Sequence, residues 1–197
     1  MRVLVILCGF VATVAALSMR REDQHEKGHK VVPALFDGKC YYPTGDPHFP
    51  KNLEQYMGTW YQVAGTPFGP TASARCVKAE YKLTSAGSVA VTNTAKVGDR
   101  AIVANGTAYP QNNEYGRSGV LKVMFPGSPD DPCPGPNYIV QAYAHDHAVV
   151  QTPNWDVLYV LSREQHPGVA KIGEWIEHAV ALGSNRTEIM EFDQNSC

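Results

Sequence analysis

From Leu53 to Arg163 the chain is a succession of short segments in which apolar and polar residues alternate, separated by Gly, Pro, Asn and Ser. Alternation with period two marks a strand with one face buried and the other wet. The clearest case runs from Val77 to Leu83: Val77, Ala79, Tyr81 and Leu83 are apolar, while Lys78, Glu80 and Lys82 are charged. Ser85-Ala86-Gly87 turns the chain, and the next segment sets Val89, Val91, Asn93, Ala95 and Val97 on one side, against Thr92, Thr94 and Lys96. Further segments run over 101–109, 119–125, 138–144, 147–151 and 157–163. Leu121, Val123 and Phe125 share one parity, as do Val157, Tyr159 and Leu161. With the segment around Trp60 this predicts eight strands at short spacing, hence an all-β sandwich or closed barrel. No helical period lies between them, which disfavours a parallel sheet with crossover helices.

One helix follows the strands. Pro167 suits a first helical turn, where its missing N–H costs nothing. Val169, Ile172, Ile176, Ala179 and Val180 keep helical spacing with Trp175 beside them, and Gly183 is a natural stop. A last short strand is predicted over 188–192.

The start of the chain has a different character. Arg2, the apolar run Val3–Ala16 and the small-x-small end Ala16-Leu17-Ser18 predict a secretory signal peptide over residues 1–18. The run is short for a membrane-spanning helix, which takes about 20 residues. Residues 19–37 read as a charged, flexible leader, with Arg20-Arg21 a possible processing site. Within it, His25-Glu26-Lys27-Gly28-His29 fits the H-E-x-x-H zinc pattern, but Gly28 weakens a helix there and no apolar face would bury it. The stretch therefore reads as a charged tail and not as a metal site. Residues 38–197 form one domain.

Composition narrows the function classes. Hydrophobic content is 44% and charged content 18%, in the range of folded proteins rather than disordered ones. The net charge is −2 with no long basic stretch, so neither nucleic acid nor an anionic membrane surface has an electrostatic footprint. Beyond the predicted signal peptide lie Cys40, Cys76, Cys133 and Cys197; in an exported chain these favour two disulfides, with three pairings open. Asn105-Gly106-Thr107 and Asn185-Arg186-Thr187 are glycosylation sequons. Ala104 and Gly106 carry the inward parity, so Asn105 points outward. His145 and His147 would share a face on a strand, but no third metal ligand is evident and a polar hairpin turn accounts for both.

Gly58-Thr59-Trp60-Tyr61 opens the first barrel strand, 74–83 forms the second, and 156–163 ends in Arg163. In this order, with a helix and Asp193-Gln194-Asn195-Ser196-Cys197 behind them and Gly38-Lys39-Cys40 in front, these segments resemble lipocalins of the apolipoprotein D-like type. The resemblance implies an eight-stranded antiparallel up-and-down β-barrel with one C-terminal α-helix packed outside. It also implies that Trp60, after Gly58, plugs the closed end and that Arg163 lies across its ring. It ties Cys76 to Cys197, which leaves Cys40 with Cys133. The family's middle motif, usually Thr-Asp-Tyr at a turn, is replaced here by Ala142-Tyr143-Ala144-His145-Asp146-His147, with Asp146 as the stand-in.

Such a barrel has room for one small ligand. The inward parity puts Val77, Tyr81, Val89, Val91, Asn93, Leu121, Val123, Phe125, Tyr159 and Leu161 around the cavity. The resemblance assigns Tyr81, Asn93 and Tyr159 to the pocket lining. Gly65-Thr66-Pro67-Phe68-Gly69-Pro70 reads as a lid loop at the mouth. The function this implies is a secreted, extracellular carrier of a small hydrophobic molecule such as a lipid, sterol, fatty acid or pigment. No cofactor, metal, nucleic acid or stable membrane anchor is expected. An enzyme is disfavoured: isomerases of this fold need an inward thiol, and there is no G-x-S-x-G elbow. The other alternative is a secreted interaction protein acting through its surface loops. Ligand identity and oligomeric state stay open at this point.

Overall fold

The computed structural model of the chain describes residues 32–67, 73–111, 113–115, 119–195 and 197. The expected signal peptide, the leader as far as residue 31 with His25 and His29, and Phe68-Gly69-Pro70 of the expected lid lie outside them. The described chain opens on a hairpin, β1 (Ala34–Phe36) against β2 (Tyr41–Pro43). Residues 34–36, inside the span expected as leader, thus form a strand. The hairpin is held because Tyr42 is buried, its hydroxyl donates to Asp37 at 2.6 Å, and Cys40 is bonded to Cys133. A 3₁₀ turn, Leu53–Tyr56, capped by the Asn52 side chain, then leads into the barrel.

The barrel strands are β3 (Gly58–Gly65), β4 (Ala74–Leu83), β5 (Val89–Val97), β6 (Arg100–Pro110), β7 (Val120–Met124), β8 (Tyr138–Tyr143), β9 (His147–Gln151) and β10 (Leu158–Ser162). Each pairs antiparallel with the next, and β10 returns to β3, closing an eight-stranded barrel. Closure removes the sheet edges that would otherwise template aggregation. Helix α1 (Val169–Ala181) packs outside: Trp175, Ile176 and Ala179 cover Val63, Val149, Leu158 and Val160 on the outer face. Gly168, with φ +87°, takes the cap position, so Pro167 precedes the helix instead of opening its first turn. The last strand is shorter than expected: β11 is Met190–Glu191, and Arg186–Glu188 is a 3₁₀ turn capped by Asn185.

The C-terminal tail is built into the barrel wall. β3 and β4 pair only from Gly58 to Tyr61, against Tyr81 to Lys78. Above that level β11 lies beside Ala64 and Gly65, and Phe192 donates its backbone N–H to the Val63 carbonyl at 2.9 Å. Cys76 donates to the Asp193 carbonyl at 2.8 Å. The buried Gln194 amide donates to the carbonyls of Gln62 in β3 and Val77 in β4, at 2.8 and 2.9 Å. Cys197 then closes the second disulfide to Cys76. The strand makes room with a bulge between Arg75 and Lys78, where Cys76 has φ +56° and both Cys76 and Val77 are buried. A bulge bends and twists its strand, and here it admits the tail.

Candidate functional site

The floor of the barrel is built around Trp60, which is fully buried and donates its ring N–H to the Tyr56 carbonyl at 2.9 Å. The Arg163 guanidinium lies 3.7 Å from the Trp60 ring centroid and donates to the carbonyls of Thr59 (2.9 Å) and Gln55 (3.2 Å). Gly58, beside the Arg163 guanidinium, has φ +96°, a backbone conformation that residues with a side chain rarely adopt. Asp146 occupies the β8–β9 turn, where its carbonyl accepts from the Arg163 backbone N–H at 2.8 Å and its carboxylate meets His147 Nδ1 at 2.8 Å. That contact is the main reason the Asp146 carboxyl is held below its usual range. His145 is exposed in the turn, and His147 stacks on Trp175 with centroids 4.6 Å apart, so the two histidines have separate surroundings.

Above this floor is a cavity of about 1050 Å³, which extends to the 128–134 segment. The structure places all the residues expected around it in its lining. Tyr81, Val89, Val91, Leu121 and Leu161 belong to the buried interior cluster, and Val123, Phe125 and Tyr159 are partly buried against it. Asn93 lines the cavity from β5. Val77 lines it from the bulge, where it also packs with Ala74 and Phe192 of the tail. Leu83, which shares the parity of Tyr81, is 39% exposed, because it lies beyond the end of the β3–β4 pairing.

Four tyrosines gather at the lower end. Tyr138 shares hydrogen bonds with Tyr56 (2.7 Å) and Tyr81 (3.1 Å), and its ring stacks against Tyr159 at 6.5 Å. Three hydroxyls joined by two bonds leave one O–H free to donate elsewhere. Burial pushes the Tyr81 hydroxyl up to about 12 and those of Tyr56, Tyr138 and Tyr159 well above the ordinary phenol range. All four therefore stay neutral donors at physiological pH.

Three functional positions escaped the alternation pattern. Tyr138 carried a usable signal, since it shares parity with Val140 on β8. Gln62 did too, two residues beyond Trp60 on the same face of β3. Tyr56 sits in a 3₁₀ turn and had none. Asn105 is exposed on β6, and its Oδ1 accepts from Thr92 Oγ1 at 3.1 Å. Asn185 is exposed as well and donates to Glu188 Oε1 at 2.7 Å.

A closed antiparallel barrel with a tryptophan–arginine floor, an outer helix and an apolar interior defines a class of small-molecule binding fold. The lipocalin-like domain model matches residues 52–194, and the chain belongs to the lipocalin family. It is similar to temperature-induced lipocalin-1 of Arabidopsis thaliana, at 29% identity over 154 residues, 73% of this chain and 80% of that protein. Among solved structures, lobster apocrustacyanin A1 superposes with a TM-score of 0.58 at 18% identity, covering 74% of this chain and 81% of the other. Insecticyanin of the tobacco hornworm Manduca sexta gives 0.54 at 16%, covering 79% and 89%. At these identities the structural likenesses speak for the fold.

Proposed function

We propose that the protein is an exported carrier of one small apolar ligand, held in the barrel with Asn93 and either Tyr81 or Tyr159 orienting it. The observation that carries this reading is the cavity of about 1050 Å³, lined mainly by apolar side chains above a sealed floor. A pocket of that volume and lining suits an apolar molecule of lipid, sterol or pigment size. Binding is favoured over catalysis, because Cys40, Cys76, Cys133 and Cys197 are all disulfide-bonded and no thiol among the described residues is left as a nucleophile. Among the described residues no helix is long and apolar enough to cross a membrane.

The site is tested with the neutral fluorescent probe N-phenyl-1-naphthylamine. The parent should bind it with micromolar or better affinity, roughly −8 kcal/mol. Val91→Arg and Leu121→Arg should abolish binding while circular dichroism stays β-rich, and Tyr159→Ala should weaken it. Unchanged binding in both arginine variants would move the ligand elsewhere and put the surface-loop reading ahead. Export is tested by N-terminal sequencing of secreted protein, expected to start after Ser18, or after Arg21 if the dibasic pair is cut. In a eukaryotic host the exposed Asn105 should carry a glycan, and a peptide mass without one counts against its use.

A further inference from the structure

We propose that the carried molecule has an uncharged carbonyl at one end, whose oxygen accepts a hydrogen bond from the tyrosine cluster at the lower end of the cavity. This rests on the carrier reading above and adds the ligand's chemical class and its orientation. Tyr81 comes from the inner face of β4, Tyr138 from the start of β8, where it pairs with Leu121, and Tyr56 from the 3₁₀ turn before β3. The Tyr138 hydroxyl joins the other two, at 2.7 Å from Tyr56 and 3.1 Å from Tyr81. Among the described residues these are the only hydrogen bonds that the three hydroxyls make. The rings are 1%, 7% and 8% exposed for Tyr56, Tyr81 and Tyr138, and all three line the cavity.

A row of three hydroxyls holds three protons and two internal bonds, so one O–H lacks an acceptor whichever way the row points. The neighbouring Tyr143 has no such surplus, because its hydroxyl donates to the Gln55 carbonyl at 3.4 Å. Donors left unmatched away from water are rare and costly, so the spare proton calls for an acceptor in the cavity that the rings line. A carbonyl oxygen accepts and brings no proton of its own. A carboxylate fits less well: it takes several donors, and burying it without a counter-charge is costly. Arg163 is not in the lining; it lies over Trp60 and donates to the carbonyls of Thr59 and Gln55. Of the lining lysines, Lys78 is exposed and Lys122 is engaged with Asp131 Oδ2 at 2.7 Å. The alkyl part would then lie along Val89, Val91 and Leu121. A carbonyl in mid-chain would be held against those side chains, away from the hydroxyls.

The test uses the full disulfide-bonded protein and displacement of N-phenyl-1-naphthylamine by two isomers of nearly equal hydrophobicity, dodecan-2-one and dodecan-6-one, and by dodecanoate. The end ketone should displace the probe at a concentration about tenfold below the mid-chain ketone. The infrared carbonyl band of bound dodecan-2-one should lie below its position in liquid dodecane, as a hydrogen-bonded carbonyl requires. Replacing Tyr56, Tyr81 and Tyr138 together by Phe keeps the rings and leaves no hydroxyl of the row behind without its partner. In that variant the two isomers should bind alike and the band should return to its position in dodecane. The isomer comparison and the band of the parent stand even if the variant fails to fold. Isomers that bind the parent equally, an unshifted band, an isomer preference kept by the triple variant, or dodecanoate binding more tightly than dodecan-2-one overturns this inference alone. Failure of the parent to bind the probe overturns the carrier reading and this inference with it.

Discussion

Arg163 covers the Trp60 ring at 3.7 Å from the floor side and spends two of its N–H groups on the carbonyls of Thr59 and Gln55. One side chain from the end of β10 thus ties the start of β3 to the 3₁₀ turn that supplies Tyr56. Burial lowers the Arg163 pKa, yet a guanidinium remains charged throughout the physiological range. The interaction is a cation over an aromatic ring plus two charge-assisted hydrogen bonds.

Removing it should therefore cost more than a surface ion pair. Arg163→Ala is expected to lower the unfolding free energy by about 2–4 kcal/mol, from the cation–π contact and the lost charge-assisted hydrogen bonds to the carbonyls of Thr59 and Gln55. Arg163→Lys should recover little of this, since an ammonium cannot both lie flat on the ring and reach two divergent carbonyls. Urea unfolding followed by tryptophan fluorescence measures both. A change below about 0.5 kcal/mol in the alanine variant, the level of a bland surface substitution, would show that the floor is held by packing alone.

Gln194 is the corresponding device at the upper seam. Gln194→Leu keeps the volume but leaves the carbonyls of Gln62 and Val77 buried without a donor, at a cost of about 2–4 kcal/mol. The loss should be local. Hydrogen exchange at the amides of Cys76 and Phe192, which bond across the tail, should accelerate more than at Ala79, which pairs with Trp60 lower in the wall. Equal acceleration at all three would mean the tail is not a separate unit.

The sequence disclosed the barrel wall more readily than its ends. Alternation from Val77 to Leu83 and from Val89 to Val97 placed Tyr81, Val91 and Asn93 on the inner face, because one-sided burial is what alternation encodes. The Trp60–Arg163 floor was legible only through resemblance, since neither residue has a periodic signal of its own. The hairpin at Ala34–Pro43 was missed because three-residue strands show no period and its order comes from Tyr42 and the distant Cys133. The bulge at Cys76 was invisible for a related reason: a positive φ at a non-glycine residue is imposed by the tail and the disulfide, both far along the chain. Tyr56 and Tyr138 meet across 82 residues, a juxtaposition only the closed barrel creates.

Four buried tyrosines and the partly buried Tyr159 make stability fall at alkaline pH. Tyr42 and Tyr81 are raised to about 12, and Tyr56, Tyr138 and Tyr159 are raised as well, chiefly by burial. In the unfolded chain these phenols ionise near about 10. Below that pH both states keep the protons and the stabilisation is fully present. Above it the unfolded state releases protons that the folded state retains, so stability drops as pH rises from about 10 through about 12. Absorbance at 295 nm and far-ultraviolet circular dichroism, recorded together, should show a block of phenols ionising only as the β signal is lost. Ionisation of all ten tyrosines with the β signal intact would contradict the burial of these five side chains.

The last prediction separates spare volume from packed core with two alanines of one interior cluster. Ala108 is 2% exposed, sits between Val89 and Val123 in the register, and lines the cavity. Ala148 is fully buried in the same cluster but does not line the cavity. A tryptophan at 108 has open space to enter and should leave the thermal midpoint nearly unchanged while weakening N-phenyl-1-naphthylamine binding at least tenfold. A tryptophan at 148 has none, and overpacking a filled core costs about 1–3 kcal/mol or more. It should lower the midpoint while any protein still folded binds the probe. Calorimetry and probe titration on both variants give a crossed pattern if the ligand occupies the barrel. If Ala108→Trp binds the probe as the parent does, the volume inside the barrel is not where the ligand goes.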